Sequence, residues 1–165
     1  MQTQFRNVPS IDGKSYLPLF RLAASWYGEK LMGKRLANNI HVKIEFVEGL
    51  EDEGTGGDCI WEDDNIRPRE FTIQIDKSND LPYMLTTLAH EMVHVKQFAK
   101  GELRDIMRAH SLCKWQGAEY NTEKLEYWDY PWEIEAHGRE KGLYIRFCVY
   151  AGLTEATSDE KQTGA

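Results

Sequence analysis

The residues best suited to chemistry in this chain are His90-Glu91-Met92-Val93-His94. Two histidines four apart on a helix lie one above the other on one face, so their imidazoles can converge on one cation. A carboxylate beside the first histidine can then reach a water held by that cation and act as its general base. The expected chemistry is hydrolysis by a zinc-activated water, with His90 and His94 as ligands and Glu91 as base. Five residues recur by chance, so the surroundings carry the rest of the reading.

A catalytic zinc needs a third protein ligand and one open position. His110, Glu133, Glu135 and His137 can supply that ligand. The segment Pro131-Trp132-Glu133-Ile134-Glu135-Ala136-His137 opens a predicted helix over 131–150, with Pro131 suited to its first turn. At about 100° per residue, Trp132, Ala136, Leu143, Phe147 and Tyr150 share the stripe expected to be buried. Glu133 falls on one flank of that stripe, near Glu140 and Tyr144; Glu135 falls on the other, near Arg139. Glu135 has a cation four residues on and is expected in a salt bridge. Glu133 has none, so it is the preferred third ligand, with His110 the main rival and Glu135 the alternative on the same helix. His137 is a candidate to orient Glu133 or His90. Tyr127, Tyr130, Tyr144 and His137 are candidates to stabilise an oxyanion.

These residues need elements to hold them. Asp80 or Asn79 and Pro82 make a helix entry, and the motif helix is expected over 82–100, ending before Gly101. Leu85, Leu88, Met92 and Val95 form its core stripe, which leaves the histidines on another face. Residues 41–47 and 70–76 alternate apolar and polar as half-buried strands, and Cys59-Ile60-Trp61 is a short third strand. Residues 18–37 repeat apolar positions as an N-terminal helix. Trp115-Gln116-Gly117 reads as the turn of a hairpin or loop over the site. The fold class is α+β, with one domain over 1–153 and a polar, fraying tail over 154–165.

The chain has 165 residues, 41% hydrophobic and 12% aromatic, enough for a proper core. Its net charge of -7 argues against a general binder of nucleic acid or anionic membrane. No apolar run approaches the roughly 20 residues of a membrane span, and the N-terminus has no signal-peptide core, so a cytoplasmic protein is expected. The 3 cysteines include no CxxC pair, which supports neither a zinc ribbon nor a disulfide framework.

With HEMVH and the later Glu133-Ile134-Glu135-Ala136-His137, the chain resembles zinc metallopeptidases of the gluzincin type. It matches their ExxA pattern and places His137 where the family usually has aspartate. The pairing of HEMVH with YPWEIEAH is also similar to small phage and bacterial SprT-like or minigluzincin proteins. The SprT pattern takes a later histidine as third ligand and often adds a cysteine ribbon, which this sequence lacks. The resemblance implies a zincin-like fold, one zinc ion, a protein or peptide substrate, and host-cell cytoplasm for a phage product. It also implies that an edge strand near 70–76 pairs with extended substrate. Two other readings stand beside it. One is a non-catalytic binding or regulatory module on the same scaffold. The other is a DNA-associated protease, for which the basic residues at 30–35 and 67–69 are only modest support.

Overall fold

The computed structural model describes residues 1–50, 52, 54–106 and 111–153. In chain order its elements are β1 (Gln2–Arg6), β2 (Ser10–Ile11), β3 (Lys14–Ser15), α1 (Leu17–Ala37), β4 (His41–Val47), β5 (Gly57–Trp61), β6 (Glu70–Asp76), α2 (Leu81–Lys100), β7 (Leu103–Asp105), β8 (Leu112–Trp115), β9 (Ala118–Asn121) and α3 (Pro131–Tyr150). The class is mixed α and β, as expected. The tail beyond 153 lies outside the described residues.

A four-stranded sheet in the order β1-β4-β6-β5 forms one layer. On β4, Val42, Ile44 and Phe46 alternate toward the core, and Phe71, Ile73 and Ile75 do the same on β6. The two strands pair in parallel, with Ile44 opposite Ile73, so both apolar sets share one face. Outside them β1 pairs in parallel with β4, and β5 pairs antiparallel with β6. The strand near 70–76 is therefore interior, which corrects the expectation that it is the edge. Its buried Thr72 and Asp76 mark the difference, because an interior strand is covered beyond its apolar face. The free edge beside α2 belongs to β5, which the chain lays down before it turns back into β6.

Helix α2 starts where the sequence signals it. The Asp80 carboxylate accepts from the Tyr83 backbone N–H at 2.8 Å, and Pro82 sits in the first turn. Gly101, with φ of 70°, closes the helix in the left-handed conformation that glycine reaches without steric cost. Leu85, Leu88, Met92 and Val95 are buried as expected, but most other faces are buried too. The helix is packed between α1, the sheet and α3, so its histidines sit inside the protein. In α1, Phe20, Ala23, Ala24 and Tyr27 pack on this core, and the Tyr27 hydroxyl donates to the Leu85 carbonyl at 3.2 Å. A kink at Gly33 interrupts what the sequence suggested as one unbroken helix.

After α2 the chain forms a three-stranded sheet, β7-β8-β9. Gln116 and Gly117 both have positive φ, 49° and 89°, as a two-residue hairpin turn with right-handed strand twist requires. Two short 3-10 turns, Thr122–Lys124 and Tyr127–Asp129, lead into α3. The expected stripe of α3 is buried at Trp132, Ala136, Leu143 and Phe147. Tyr150 departs from it: it is 60% exposed and lies beside Trp26, with ring centroids 5.9 Å apart. Among the described residues no helix is long and apolar enough to cross a membrane.

Candidate metal centre

Helix α2 presents His90 and His94 one turn apart, and the first turn of α3 brings Glu133 over them. The two Nε2 atoms lie 3.1 Å apart. Glu133 Oε2 is 3.4 Å from His90 Nε2, and Glu133 Oε1 is 3.4 Å from His94 Nε2. Ligand atoms about 2.0–2.1 Å from a tetrahedral zinc stand about 3.3 Å from one another, so this spacing fits such an ion. Sequence spacing could not show that Glu133 reaches the pair; the packing of α3 on α2 brings it there.

The outer side of each imidazole fixes which nitrogen carries its proton. His90 Nδ1 lies 2.6 Å from Glu140 Oε2, and a carboxylate can only accept there. His94 Nδ1 lies 2.8 Å from Gln97 Oε1. The Gln97 amide donates from Nε2 to the Trp132 carbonyl at 2.9 Å and to Glu135 Oε2 at 3.0 Å, so its oxygen must face His94. Both Nδ1 atoms therefore donate outward, and in the neutral imidazoles both Nε2 lone pairs point at the Glu133 carboxylate. Two lone pairs and an anion facing one point call for a cation or for bound protons. The chemistry of this donor set suits a divalent metal.

The electrostatics agree with that reading. Burial disfavours a charged His90, yet the hydrogen bonds to Glu133 and Glu140 outweigh it and push its pKa up to about 10. Burial opposes charge on His94 as well, but Glu133 and the nearby Glu91 raise its pKa. Burial also opposes the charge on Glu133, which the hydrogen bonds from His90 and His94 hold well below the usual carboxylate range. Without a metal, protons do its work in the centre. Glu91 is different. Burial pushes it up to about 7, with partial relief from His94 and His90. That value suits a group that takes and returns a proton near neutrality.

Gly57 at the start of β5 lets the sheet edge come down on Glu91. A Cβ built there would stand 2.9 Å from Glu91 Oε1 and 2.5 Å from Thr87 Cγ2, closer than real side chains approach. On either side of Glu91 and His90 opens a cleft. One, of about 440 Å³, lies toward His94 and is walled by Phe98, Leu103, Cys113, Tyr130 and Trp132. The other, of about 400 Å³, lies toward Tyr83, Trp128, His137 and Glu140.

The remaining candidates fall as follows. Glu135 stands away from the centre and pairs with Lys96 at 2.6 Å and Arg139 at 2.9 Å, the salt bridge expected of it. The buried Lys96 also pairs with Glu102 at 2.6 Å. The group bonded to His90 Nδ1 is Glu140, not His137. His137 instead lies against the His90 ring, with centroids 4.5 Å apart, and its Nδ1 is 3.2 Å from Glu140. Glu140 sits two turns after Glu133 on the same face, a spacing from which its role was readable. Gln97 gave only its position three residues after His94. The Tyr127 hydroxyl donates to Glu133 Oε2 at 2.8 Å and lies 3.3 Å from His137 Nε2, the one tyrosine hydroxyl bonded within the centre among the described residues. Tyr130 spends its hydroxyl on the Thr122 carbonyl at 3.0 Å, which leaves its ring as a cleft wall. Tyr144 lines neither cleft and lies against Cys148. His110 lies outside the described residues.

Two groups of side chains among the described residues could hold a metal. They are His90, His94 and Glu133, and His90, His137 and Glu140. The first uses both inward lone pairs. The second would take His90 by Nδ1, which already donates to Glu140. No protein-family model, curated protein or solved structure matches the chain.

Proposed function

We infer that this protein is a zinc-dependent peptide hydrolase with a zincin-like arrangement of the gluzincin kind. One observation carries the reading: both imidazoles turn Nε2 toward the Glu133 carboxylate and Nδ1 toward an outer acceptor, with Glu91 buried beside them at the junction of two clefts. His90, His94 and Glu133 would hold one zinc ion, which when bound supplies a Lewis acid that polarises a carbonyl and acidifies water.

The chain's own residues do the rest. Glu140 and Gln97 hold the two imidazoles in the tautomer that binds a metal and stop them from rotating. Glu91 takes a proton from the attacking water and passes it to the leaving amine. The wall of β5 over Glu91 limits access of bulk water from that side. The Tyr127 hydroxyl, on the rim of both clefts, is placed to move from Glu133 to the oxyanion that develops on the substrate.

The two clefts meet at Glu91 along the free edge of β5, a layout that accommodates an extended chain on both sides of a cleaved bond. In the antiparallel ladder with β6, Gly57, Cys59 and Trp61 turn their backbone groups outward. Main-chain pairing of a peptide thus belongs to β5 in this reading, and the strand at 70–76 cannot offer it.

The test is a metal analysis joined to a peptide-cleavage assay. Purified protein should bind one equivalent of zinc and cleave an unstructured peptide mixture. Glu91→Gln should retain the zinc and lose hydrolysis by at least about a hundredfold, the usual scale of a general base. A Glu91→Gln protein with undiminished cleavage, or wild-type protein that binds no zinc, removes the proposal. Full zinc with no cleavage of any peptide favours the binding-module reading.

A further inference from the structure

The edge that β5 offers to a substrate is already in use. Asp76 donates its N–H to the Gly56 carbonyl and Glu62 donates to the Glu70 carbonyl, so the even-numbered residues of 56–62 bond to β6. Gly57 and Cys59 therefore point their N–H and C=O groups away from the sheet. Three of these four groups meet a side chain. The Thr55 hydroxyl donates to the Gly57 carbonyl at 2.6 Å and accepts from the Gly57 N–H at 3.3 Å. The Asp58 carboxylate accepts from the Cys59 N–H at 2.9 Å. Thr55 and Asp58 are both exposed, so burial does not hold them there. Thr55 lines both clefts, Asp58 lines the one toward His94, and Gly57 is the residue that crosses Glu91.

An open strand edge pairs readily with other chains, and side chains folded back on it blunt that tendency. An incoming peptide needs the same groups: its N–H for the Gly57 carbonyl and its carbonyls for the Gly57 and Cys59 N–H. A backbone N–H has one hydrogen to give, so cap and peptide compete for it. An extended segment brings free main-chain groups to that exchange. In a helix or a paired strand those groups already have partners.

We propose that Thr55 and Asp58 form a latch on the β5 edge, which only an extended, unpaired peptide backbone displaces. The proposal rests on the hydrolase reading for the identity of the incoming chain. Thr55 and Asp58 set how tightly a peptide binds and take no part in the proton transfers.

Peptide binding to the zinc-loaded Glu91→Gln protein tests the latch apart from hydrolysis. The probes are fluorescein-labelled, unstructured hexapeptides that differ in their central residues, read by fluorescence anisotropy. Thr55→Val and Asp58→Ala, each added to Glu91→Gln, should bind the same peptides about threefold to tenfold tighter, the scale of one hydrogen bond that no longer competes. Thr55→Ser and Asp58→Asn put the capping oxygen back and should reverse the gain, which separates capping from loss of the Asp58 charge. Amide exchange followed by NMR gives a second reading. The Cys59 N–H should exchange faster in Asp58→Ala, and the Gly57 and Cys59 N–H groups should both slow once peptide is bound. Unchanged or weaker binding in Thr55→Val or Asp58→Ala, a gain that survives in Thr55→Ser or Asp58→Asn, or bound peptide that protects neither amide overturns the latch. Failure of every peptide to bind overturns it as well. Wild-type protein that binds the peptides but cleaves none overturns the hydrolase reading and leaves the latch standing.

Discussion

The two histidines of the centre are held by different means. His90 reaches across from α2 to α3, where a charged and partly exposed Glu140 accepts its proton. His94 is held within its own helix by the neutral Gln97, which is fully buried and itself clamped by the Trp132 carbonyl and Glu135. The Lys96–Glu135–Arg139 ion pairs stand behind that amide. A carboxylate partner makes an imidazole more basic and a better ligand, at the cost of a stronger hold on its proton. A neutral amide fixes orientation and adds no charge. The candidate centre thus pairs one histidine held by a charged partner with one held by a neutral amide, and Glu133 is the group that faces both.

Removing the shared group should have the largest effect. Glu133→Ala is expected to lower zinc affinity by about a hundredfold to a thousandfold, the scale of one ligand in a protein zinc site, measured by competition with a chromophoric chelator. Glu135→Ala should keep the zinc, since Glu135 stands behind Gln97 and touches neither imidazole. The reverse ranking would break the assignment of the third ligand.

The next effect separates the two histidines. Glu140→Gln and Gln97→Leu should each weaken zinc about tenfold to a hundredfold. Only Gln97→Leu should also lower the stability of the metal-free protein, by about 1–3 kcal/mol, because it leaves the His94 Nδ1–H, the Trp132 carbonyl and Glu135 short of buried partners. Urea unfolding in the presence of chelator measures that difference. Equal destabilisation by both variants would erase the contrast.

The smallest effect concerns protons. With its pKa near 10 in the metal-free protein, His90 is protonated at pH 7, so zinc must displace that proton. Zinc affinity should therefore rise with pH through neutrality and level off above the raised histidine pKa. Glu140→Gln removes one of the charges that raise His90, so it should release fewer protons on zinc uptake, by less than about one per site. Calorimetry at pH 7 in two buffers of different ionisation enthalpy reads the count. Unchanged proton release would show that Glu140 does not tune His90.

Much of the centre was legible because it is local. The spacing of His90 and His94, the cap at Asp80, the stop at Gly101 and the apolar stripe of α2 all follow from helix geometry within one segment. The face of α3 that carries Glu133 was legible for the same reason, and so was the separation of Glu133 from Glu135. Tyr150 strayed from its stripe because the last turn of α3 meets Trp26 at the surface instead of a core. β1 escaped notice because Gln2-Thr3-Gln4-Phe5-Arg6 has one apolar residue, and only pairing with β4 makes it a strand.

By itself the sequence determined the motif helix, the spacing of its two histidines, the face of α3 that carries Glu133 and the alternation of the inner strands, since each depends on periodicity over a few residues. Tertiary structure decided which strand is the free edge, that Glu140 and Gln97 set the tautomers, and that Gly57 lies on Glu91. These relations join residues far apart in the chain. Their distances depend on how helices and strands pack, and no local repeat encodes that.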